Sequence, residues 1–336
     1  MPDISVVINA YRRKNFVKEA IISAVLQNVP KNRYEVILVT DLNDSELNDI
    51  VAPYGHVIHY PNEKGGAMYA KGIAEASGKI IAFLDDDDMF IQGKLKRVLE
   101  AYESSRLLGL YRHTVTFVND KGRPLIAPDT QATTLRERFI KPVSTLALSY
   151  SLLGKLMVKL GPTRRLIKDT VAVLPPHIYT KNLEREAKMF TREEKERAIR
   201  YLAEEVHKVR PDLYDPLYWL GFNSSSITAL REPLLSYLDT ISRFYYAQDN
   251  AYILIFLASN YGLVHEPLKL TLYRVHGHQV MFRHGNDTAF ERKACNEYFE
   301  LKRLVEELRL ESLIDIDRTE ASGVRPICDG SFTWAR

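Results

Sequence analysis

The sequence predicts an α/β protein built on a mostly parallel, Rossmann-type sheet flanked by helices, with a helical insertion and a C-terminal helix. Three features lead there. Short β-branched runs recur through the first third of the chain, helical stretches fall between them, and the runs are continuously apolar rather than alternating. Apolar strands separated by helices mark a parallel sheet covered on both faces and joined by right-handed crossovers. Such sheets bind ligands at the carboxyl ends of their strands.

The elements follow in order. ISVVINA over residues 4–10 reads as a strand, and residues 16–26, apolar at 16, 17, 20, 21, 24 and 25, as a helix. YEVILVT at 34–40 is the next strand, followed by a short strand at 56–60, a helix at 66–76, the strand KIIAFL at 79–84 and a helix near 93–104. Residues 110–118 and 123–126 read as a hairpin across Asn119, Asp120, Lys121 and Gly122. Residues 127–214 change character: they are helical, basic and interrupted by prolines, and read as an insertion. The α/β pattern resumes at 221–230, with a helix at 249–259, an extended segment at 263–276 and a final amphipathic helix at 291–310. Residues 315–336 mix charges with Gly and Pro and read as a weakly ordered tail.

Composition excludes some partners. The 336 residues are 46% hydrophobic and 26% charged, enough for a large core. A net charge of +3, from 46 basic and 43 acidic side chains, is far from that of a dedicated nucleic-acid binder. Two cysteines, Cys295 and Cys328, are too few and too far apart for a disulfide framework and point to a reducing compartment. The strand pattern starts almost at once, with no secretory signal ahead of it. The expected location is cytoplasmic, or peripheral on the inner face of the cell membrane.

Four consecutive aspartates, Asp85, Asp86, Asp87 and Asp88, directly follow the strand IIAFL. They repel one another unless water or a cation relieves them, and the strand leaves them at the ligand-binding edge. Carboxylate oxygens are the ligands that Mg²⁺ and Mn²⁺ prefer, while a solvated acidic turn capping the next helix is the plainer alternative.

VVINAY, YEVILVTD, the stretch 62–72 and GKIIAFLDDDD occur in an order and spacing that resembles the family-two glycosyltransferases with a GT-A fold. The resemblance covers residues 3–125 well and 220–280 loosely. It implies an inverting transfer of a sugar from a nucleotide-diphosphate donor, of UDP or GDP type, to a glycan or lipid-linked acceptor, with Mn²⁺ or Mg²⁺ as cofactor. Residues 1–126 then form the nucleotide-sugar-binding half, 215–286 the acceptor-side half and 287–314 the C-terminal helix. Asp85 and Asp87 match the family's Asp-x-Asp motif and face the donor's ribose and diphosphate, with Asp87 favoured as the direct metal ligand and Asp86 beside them on the donor. Asp41, at the end of the second strand, matches a base-binding aspartate, although an Asx turn formed with Asn43 and Asp44 is compatible with the same residue. Ala10 and Tyr11 stand where the family surrounds the base, and Tyr11 is equally readable as a buried cover of the sheet end.

Departures from the family pattern concentrate on the donor. Asn9 replaces a usual proline, Thr40 one of two consecutive aspartates, and Tyr69 and Ala70 an arginine–asparagine pair. The usual cationic contact is therefore absent, and Lys64 and Lys71 are the candidates to replace it; a solvated surface lysine is the common alternative.

On the acceptor side, Asp249 in AQDNAYILIF begins an apolar helix whose N-terminus is expected to keep its carboxylate ionised. It matches the family's Glu-Asp or Gln-Asp motif, whose aspartate is the base; an ordinary first-turn acid has the same appearance. LTLYRVHGHQ resembles the Tyr-Arg-x-His signature, which makes His276 a metal or diphosphate contact and Arg274 a second phosphate contact, with His278 and His284 close by.

VSTLALSYSLLGKLMVKL at 143–160 is apolar almost all round but too short before Lys155 to span a bilayer. An interfacial helix reaching anionic lipid through Arg164, Arg165 and Lys168, and a helix buried against the domain or a partner subunit, both fit residues 143–168. Two other functions compete: sugar-phosphate nucleotidylyltransfer, which generally needs a glycine-rich loop where NAYRRKN has no glycine, and a non-catalytic binding scaffold.

Overall fold

The computed structural model describes residues 1–63, 65–124, 186–209, 223–276 and 288–315. Nine strands form one mixed sheet, in the order β3-β2-β1-β4-β8-β6-β9-β5, with β7 also pairing with β9. The strands β1 (Ile4–Ala10), β2 (Tyr34–Thr40), β3 (Gly55–His59) and β4 (Ile80–Asp85) are mutually parallel. Between them run α1 (Lys14–Val25), α2 (Ser45–Val51) and α3 (Gly66–Glu75). After β4 come the two-residue β5 (Met89–Phe90), α4 (Lys94–Ser104) and β6 (Leu108–Val118). The second part supplies β7 (Ala187–Met189), α5 (Arg192–Val209), β8 (Ile227–Leu230), α6 (Arg231–Leu235), α7 (Leu238–Arg243), α8 (Gln248–Ala258), β9 (Gly262–Arg274) and α9 (Thr288–Glu307). β8 runs antiparallel between β4 and β6, and β6 runs parallel to β9.

Side-chain alternation along the central strands feeds two cores. Ile4, Val6, Ile8 and Ala10 of β1 face the apolar stripes of α1 and α4, among them Val17, Ile21, Leu95 and Val98. Val7, Ile37, Ile81 and Phe83 face α3, α8 and α9. Full burial of one such aliphatic or aromatic side chain contributes about 1.5–3 kcal/mol. α8 is apolar nearly all round because it lies inside that second core, with Tyr252 stacked on Phe83 at 4.2 Å between ring centroids. The candidate site lies just beyond the carboxyl ends of β1, β2 and β4.

Of the hairpin expected after β6, the described residues hold the turn, with the Asn119 amide donating to the Arg123 carbonyl at 2.8 Å and an antiparallel bridge between Val118 and Pro124; 125 and 126 lie outside them. Two expectations need correction. The end of the stretch 127–214 is not an appendage. β7 joins the sheet edge against β9, and buried Lys195 of α5 donates to the carbonyls of Phe256 (2.9 Å) and Ser259 (2.7 Å), placing a cation at the C-terminus of α8. Burial holds that ammonium down to about 8. The sheet keeps the expected parallel strands β1 to β4, while β8, β5 and β7 are antiparallel to their neighbours. Finally, Cys295 is disulfide-bonded, because distance along the sequence does not bound distance in the fold. The apolar segment 143–168, Lys64 and the tail from 316 lie outside the described residues; among those described, no helix is long and apolar enough to cross a membrane.

Candidate active site

The register of the parallel strands brings the first site residues together. Asn9 of β1 pairs with Asp85 of β4, and Ala10 with Thr40 of β2, so three strand ends share one edge. Beyond β1 the chain turns left-handed at Arg12 (φ 56°), and the Arg12 amide donates to Asp41 Oδ1 at 2.9 Å. The exposed Arg12 guanidinium lies 5.0 Å from the Tyr11 ring centroid. Ala10 is fully buried beneath half-buried Tyr11. Asp41 thus has one oxygen fixing the loop, and its other oxygen has only a loose contact with Arg12 Nε at 3.9 Å.

The four aspartates form a tight turn, with the Asp88 amide donating to the Asp85 carbonyl at 3.2 Å. Their side chains diverge. Asp85 Oδ1 accepts from the Tyr69 hydroxyl at 2.7 Å, and its amide donates to Ser225 Oγ at 3.0 Å. Asp86, 1% exposed, is gripped at both oxygens by Arg13, with Nε at 3.2 Å from Oδ2. Asp87 Oδ2 receives Arg13 as well and lies 2.9 Å from His276 Nε2. Asp88 is locked into the scaffold by the Arg274 amide (3.0 Å) and Asn223 Nδ2 (2.8 Å).

These environments separate the four carboxyls. Burial, reinforced by the charge of Asp87, pushes Asp85 up to about 6 against the opposing pull of Tyr69 and Arg13. Asp88 rises well above the carboxylate range for the same two reasons, burial first and Asp87 next. Asp87 goes the other way. Burial opposes its ionisation, yet the hydrogen bond from His276 and the charge of Arg13 hold its carboxyl below the usual value. Asp87 is therefore the member of the cluster that stays anionic to the lowest pH. Buried Lys94 lies behind the turn, with Nζ donating to the Ser225 carbonyl at 2.6 Å, and burial holds its ammonium well below the ordinary value.

The structure brings Asp85, Asp86, Asp87 and His276 together, and it reassigns two basic residues. Arg274, expected at the donor phosphates, is fully buried and spent on the scaffold. Nε donates to the Asp87 carbonyl (2.9 Å), one terminal nitrogen to the Asp120 carbonyl (2.7 Å) and the other to Glu19 (2.5 Å), while the guanidinium lies 4.4 Å from the Phe16 ring. Lys71 pairs with Glu75 on its own helix at 2.7 Å rather than with the cluster. The cation actually at the carboxylates is Arg13, which the sequence reading passed over as part of the basic run YRRKN. Its signal was position: it follows β1 at the same sheet edge as the aspartates. Tyr69, noted only as a departure, turns out to be the hydroxyl that orients Asp85.

Asp249 sits in the first turn of α8, its Oδ1 accepting from the Asn250 amide at 2.9 Å. The expectation that the helix N-terminus would dominate does not hold. Loss of water pushes this carboxyl well above its ordinary range, and the negative charges of Asp85 and Glu297 add to the effect. Asp249, at the start of α8, therefore lies near enough to Asp85, at the end of β4, to feel its charge. Among the described residues, Asn223 Oδ1, Gln248 Oε1, Asn9 Oδ1 and the Tyr252 hydroxyl are buried without a hydrogen-bond partner, a set of polar atoms suited to a polyhydroxyl ligand.

The first part of the chain is similar in sequence to known glycosyltransferases. The model of Glycosyl transferase family 2 matches residues 5–143. An uncharacterized glycosyltransferase of Nostoc sp. is 26% identical over 141 residues, covering 40% of this chain and 43% of the relative. The putative teichuronic acid biosynthesis glycosyltransferase TuaG of Bacillus subtilis is 32% identical over 106 residues, covering 30% of this chain and 41% of TuaG. The matched regions thus span under half the length of either relative. Among solved structures, S. aureus TarS 1-349 in complex with UDP-GlcNAc superposes with a TM-score of 0.54 at 13% identity, covering 98% of this chain and 79% of the other. That likeness bears on the fold, which is of the GT-A type.

Proposed function

We propose that this chain, which carries a family-two glycosyltransferase domain on a GT-A fold, moves a sugar from a nucleotide-diphosphate sugar to an acceptor hydroxyl by one inverting displacement. One observation carries the reading: the Asp87–His276 pair lies just beyond the carboxyl end of β4, and Asp249, in the first turn of α8, is near enough to Asp85 to feel its charge. A metal-holding acid and a separate base are what the reaction needs.

The donor set fits a divalent cation in its chemistry. Asp87, Asp85 and His276 offer carboxylate oxygen and imidazole nitrogen, which suit Mn²⁺ and, for the carboxylates, Mg²⁺; such ions complete their shell with water and substrate phosphate. Among the described residues no group of three or more His, Cys, Asp or Glu side chains is placed to hold a metal ion, so water and substrate phosphate would have to complete the shell around these ligands. A bound cation supplies positive charge for the departing diphosphate.

The chain's own residues do the rest. Asp41 and Tyr11 receive the nucleobase at the end of β2, Asp85 is oriented by Tyr69 toward the ribose, and the unpartnered carbonyls of Asn223 and Gln248 accept from sugar hydroxyls. Asp249 takes the acceptor proton as the acceptor oxygen bonds to the anomeric carbon and the bond to the diphosphate breaks, its electron pair leaving with the diphosphate. A raised proton affinity brings this base nearer the working pH than an ordinary aspartate. The donor class is UDP or GDP. TarS is the structural neighbour with UDP-GlcNAc bound, which makes UDP-sugars the first to try. The acceptor is a glycan or a lipid-linked hydroxyl, and residues 143–168 are the candidate contact with an anionic membrane surface, testable by salt-sensitive liposome flotation.

The deciding experiment is nucleoside diphosphate release from a panel of UDP- and GDP-sugars with Mn²⁺, for the parent chain and Asp249→Asn. Turnover falling by about 10²–10⁴-fold in the variant, with UDP–Mn²⁺ or GDP–Mn²⁺ affinity within twofold, is expected. Full turnover in Asp249→Asn removes the base assignment. Pyrophosphate exchange in place of diphosphate release points to nucleotidylyltransfer.

A further inference from the structure

The helix that carries the proposed base begins without a cap of its own. Ala247 precedes α8 and offers no side chain to the first amides, and the three residues before α8 present their N–H groups in succession. All three converge on one oxygen from a distant element. Glu297 Oε1, on α9, accepts from the amides of Tyr245 and Tyr246 and lies 3.4 Å from that of Ala247. Glu297 is 7% exposed, so this carboxylate and the amides it receives are largely withdrawn from water.

The opposite side of the same segment is equally constrained. The Phe244 carbonyl accepts from the Gly66 amide at 2.8 Å, and a Cβ on Gly65 would fall 2.3 Å from the Tyr245 carbonyl oxygen. A Cβ on Gly66 would fall 1.9 Å from the Ile241 carbonyl oxygen. Gly65 also has φ +57°, a conformation that favours glycine, and its carbonyl accepts from Asn9 Nδ2 at 3.3 Å. Residues 244–247 are thus wedged between the donor edge of the sheet, through Gly65 and Gly66, and a carboxylate on the last helix.

We infer that Glu297 is a positioning residue for transfer: by gathering three successive amides it fixes the N-terminus of α8 and with it the place of Asp249 relative to the donor edge. Successive amides of this kind form an anion-binding concavity, and a carboxylate at a helix N-terminus is favoured by the helix dipole. Glu297 touches no reacting atom. Its charge also bears on Asp249 and adds to the proton affinity that burial gives that base. α9 therefore belongs to the active-site machinery as well as to the core.

The inference rests on the assignment of Asp249 as the base, and the test separates the two. Nucleoside diphosphate release from the UDP- and GDP-sugar panel with Mn²⁺ is measured across pH for Glu297→Gln, Glu297→Ala and Asp249→Asn, alongside calorimetry of UDP–Mn²⁺ and GDP–Mn²⁺. Glu297→Ala is expected to lower kcat about 10 to 100-fold with donor KM and diphosphate affinity within twofold, because the lost interaction concerns where the base stands. Glu297→Gln keeps an oxygen acceptor and should recover most of kcat. Removing the negative charge lowers the proton affinity of Asp249, so the acid limb of the Gln variant's pH profile moves to lower pH. Carboxyl ¹³C NMR titration reads the same shift at Asp249 without substrate, and decides the matter if Glu297→Ala fails to fold. An unchanged Asp249 titration in Glu297→Gln, or an unchanged kcat in a folded Glu297→Ala, overturns the inference while Asp249→Asn remains inactive. Full turnover in Asp249→Asn instead overturns the base assignment on which it rests.

Discussion

Replacing Arg13 by glutamine should weaken the metal-free protein and strengthen its hold on Mn²⁺. Arg13 neutralises Asp86 and Asp87, two carboxylates that are 1% and 8% exposed. Removing one partner of a buried ion pair costs about 3–5 kcal/mol. The Arg13 side chain is 36% exposed, so water screens part of that interaction and about 2 kcal/mol is the reasonable figure. In a chain of 336 residues, that lowers Tm by about 3 °C in EDTA. A cation binding at Asp87 in the parent must first displace the guanidinium from the same oxygen. The same 2 kcal/mol therefore appears as about a 30-fold lower Kd for Mn²⁺ in Arg13→Gln, at 1.4 kcal/mol per tenfold. Calorimetric or Mn²⁺ EPR titration without donor measures the Kd, and thermal melts with and without Mn²⁺ measure the rest through ligand linkage. If Arg13→Gln binds Mn²⁺ within threefold of the parent, or more weakly, the guanidinium and the metal do not share Asp87 and the reasoning fails.

Three further outcomes follow from the site. Arg274→Lys should cost about 3 kcal/mol in urea unfolding, since a point charge cannot serve the Asp87 and Asp120 carbonyls and Glu19 at once, while UDP–Mn²⁺ affinity of the folded variant stays within twofold; a selective loss of affinity with normal stability would restore Arg274 to the donor site. Tyr69→Phe removes the hydroxyl that donates to Asp85 and should cost about 1.5–3 kcal/mol in the same assay, with the far-UV spectrum unchanged; a loss below 0.5 kcal/mol, taken as roughly the lower edge for any hydrogen bond, would mean that water replaces it. The metal-free protein should gain stability as pH falls: Asp85 titrates near 6 when folded, above the ordinary 3.8, so the folded state binds the extra proton and the penalty present at pH 7 is relieved through pH 6 to 4. Melts in EDTA across that window read the sign, and a Tm that drops on going from pH 7 to pH 5.5 contradicts it.

Much of the fold was legible because parallel βα units advertise themselves. Uninterrupted apolar runs such as SVVINA and VILVT need helices on both sides, and β1 to β4 lie in the order that this demands. The second half was harder to read. β7 is three residues long and β5 two, too short for periodicity to register, and they owe their existence to the unpaired edge of β9. The candidate site divides in the same way. Asp85, Asp87, Asp249 and His276 occupy strand ends and a helix start, places where sequence pattern and chemistry coincide. Arg274 was misread because a sequence shows that an arginine stands near a site and not which way the guanidinium turns. Arg13 and Glu297 were missed because each acts on residues more than 45 positions away, and only the folded chain makes them neighbours.

Backbone strain gives an independent marker of the same region. Among the described residues, four non-glycine positions have positive φ: Arg12, Asn62, Asn223 and Arg309. Two of them face the aspartates. Arg12 at 56° carries the amide that holds Asp41, and Asn223 at 69° carries the side chain that holds Asp88. Gly65, at 57°, completes the rim between Asn9 and Tyr245. A left-handed conformation costs an ordinary L residue about 1–2 kcal/mol, and arginine has none of the local hydrogen bonding that eases it for asparagine. Such positions persist where surrounding contacts over-determine them, and they cluster at functional sites. Here Arg12 and Asn223 each donate a hydrogen bond to a carboxylate, and the Gly65 carbonyl accepts from the end of β1, so these positions are tied to the acidic turn and its neighbours. The same economy explains Asn9, which stands where a proline is usual in the family: its side chain reaches Gly65 and leaves Oδ1 without a partner toward the edge where the donor is proposed to lie.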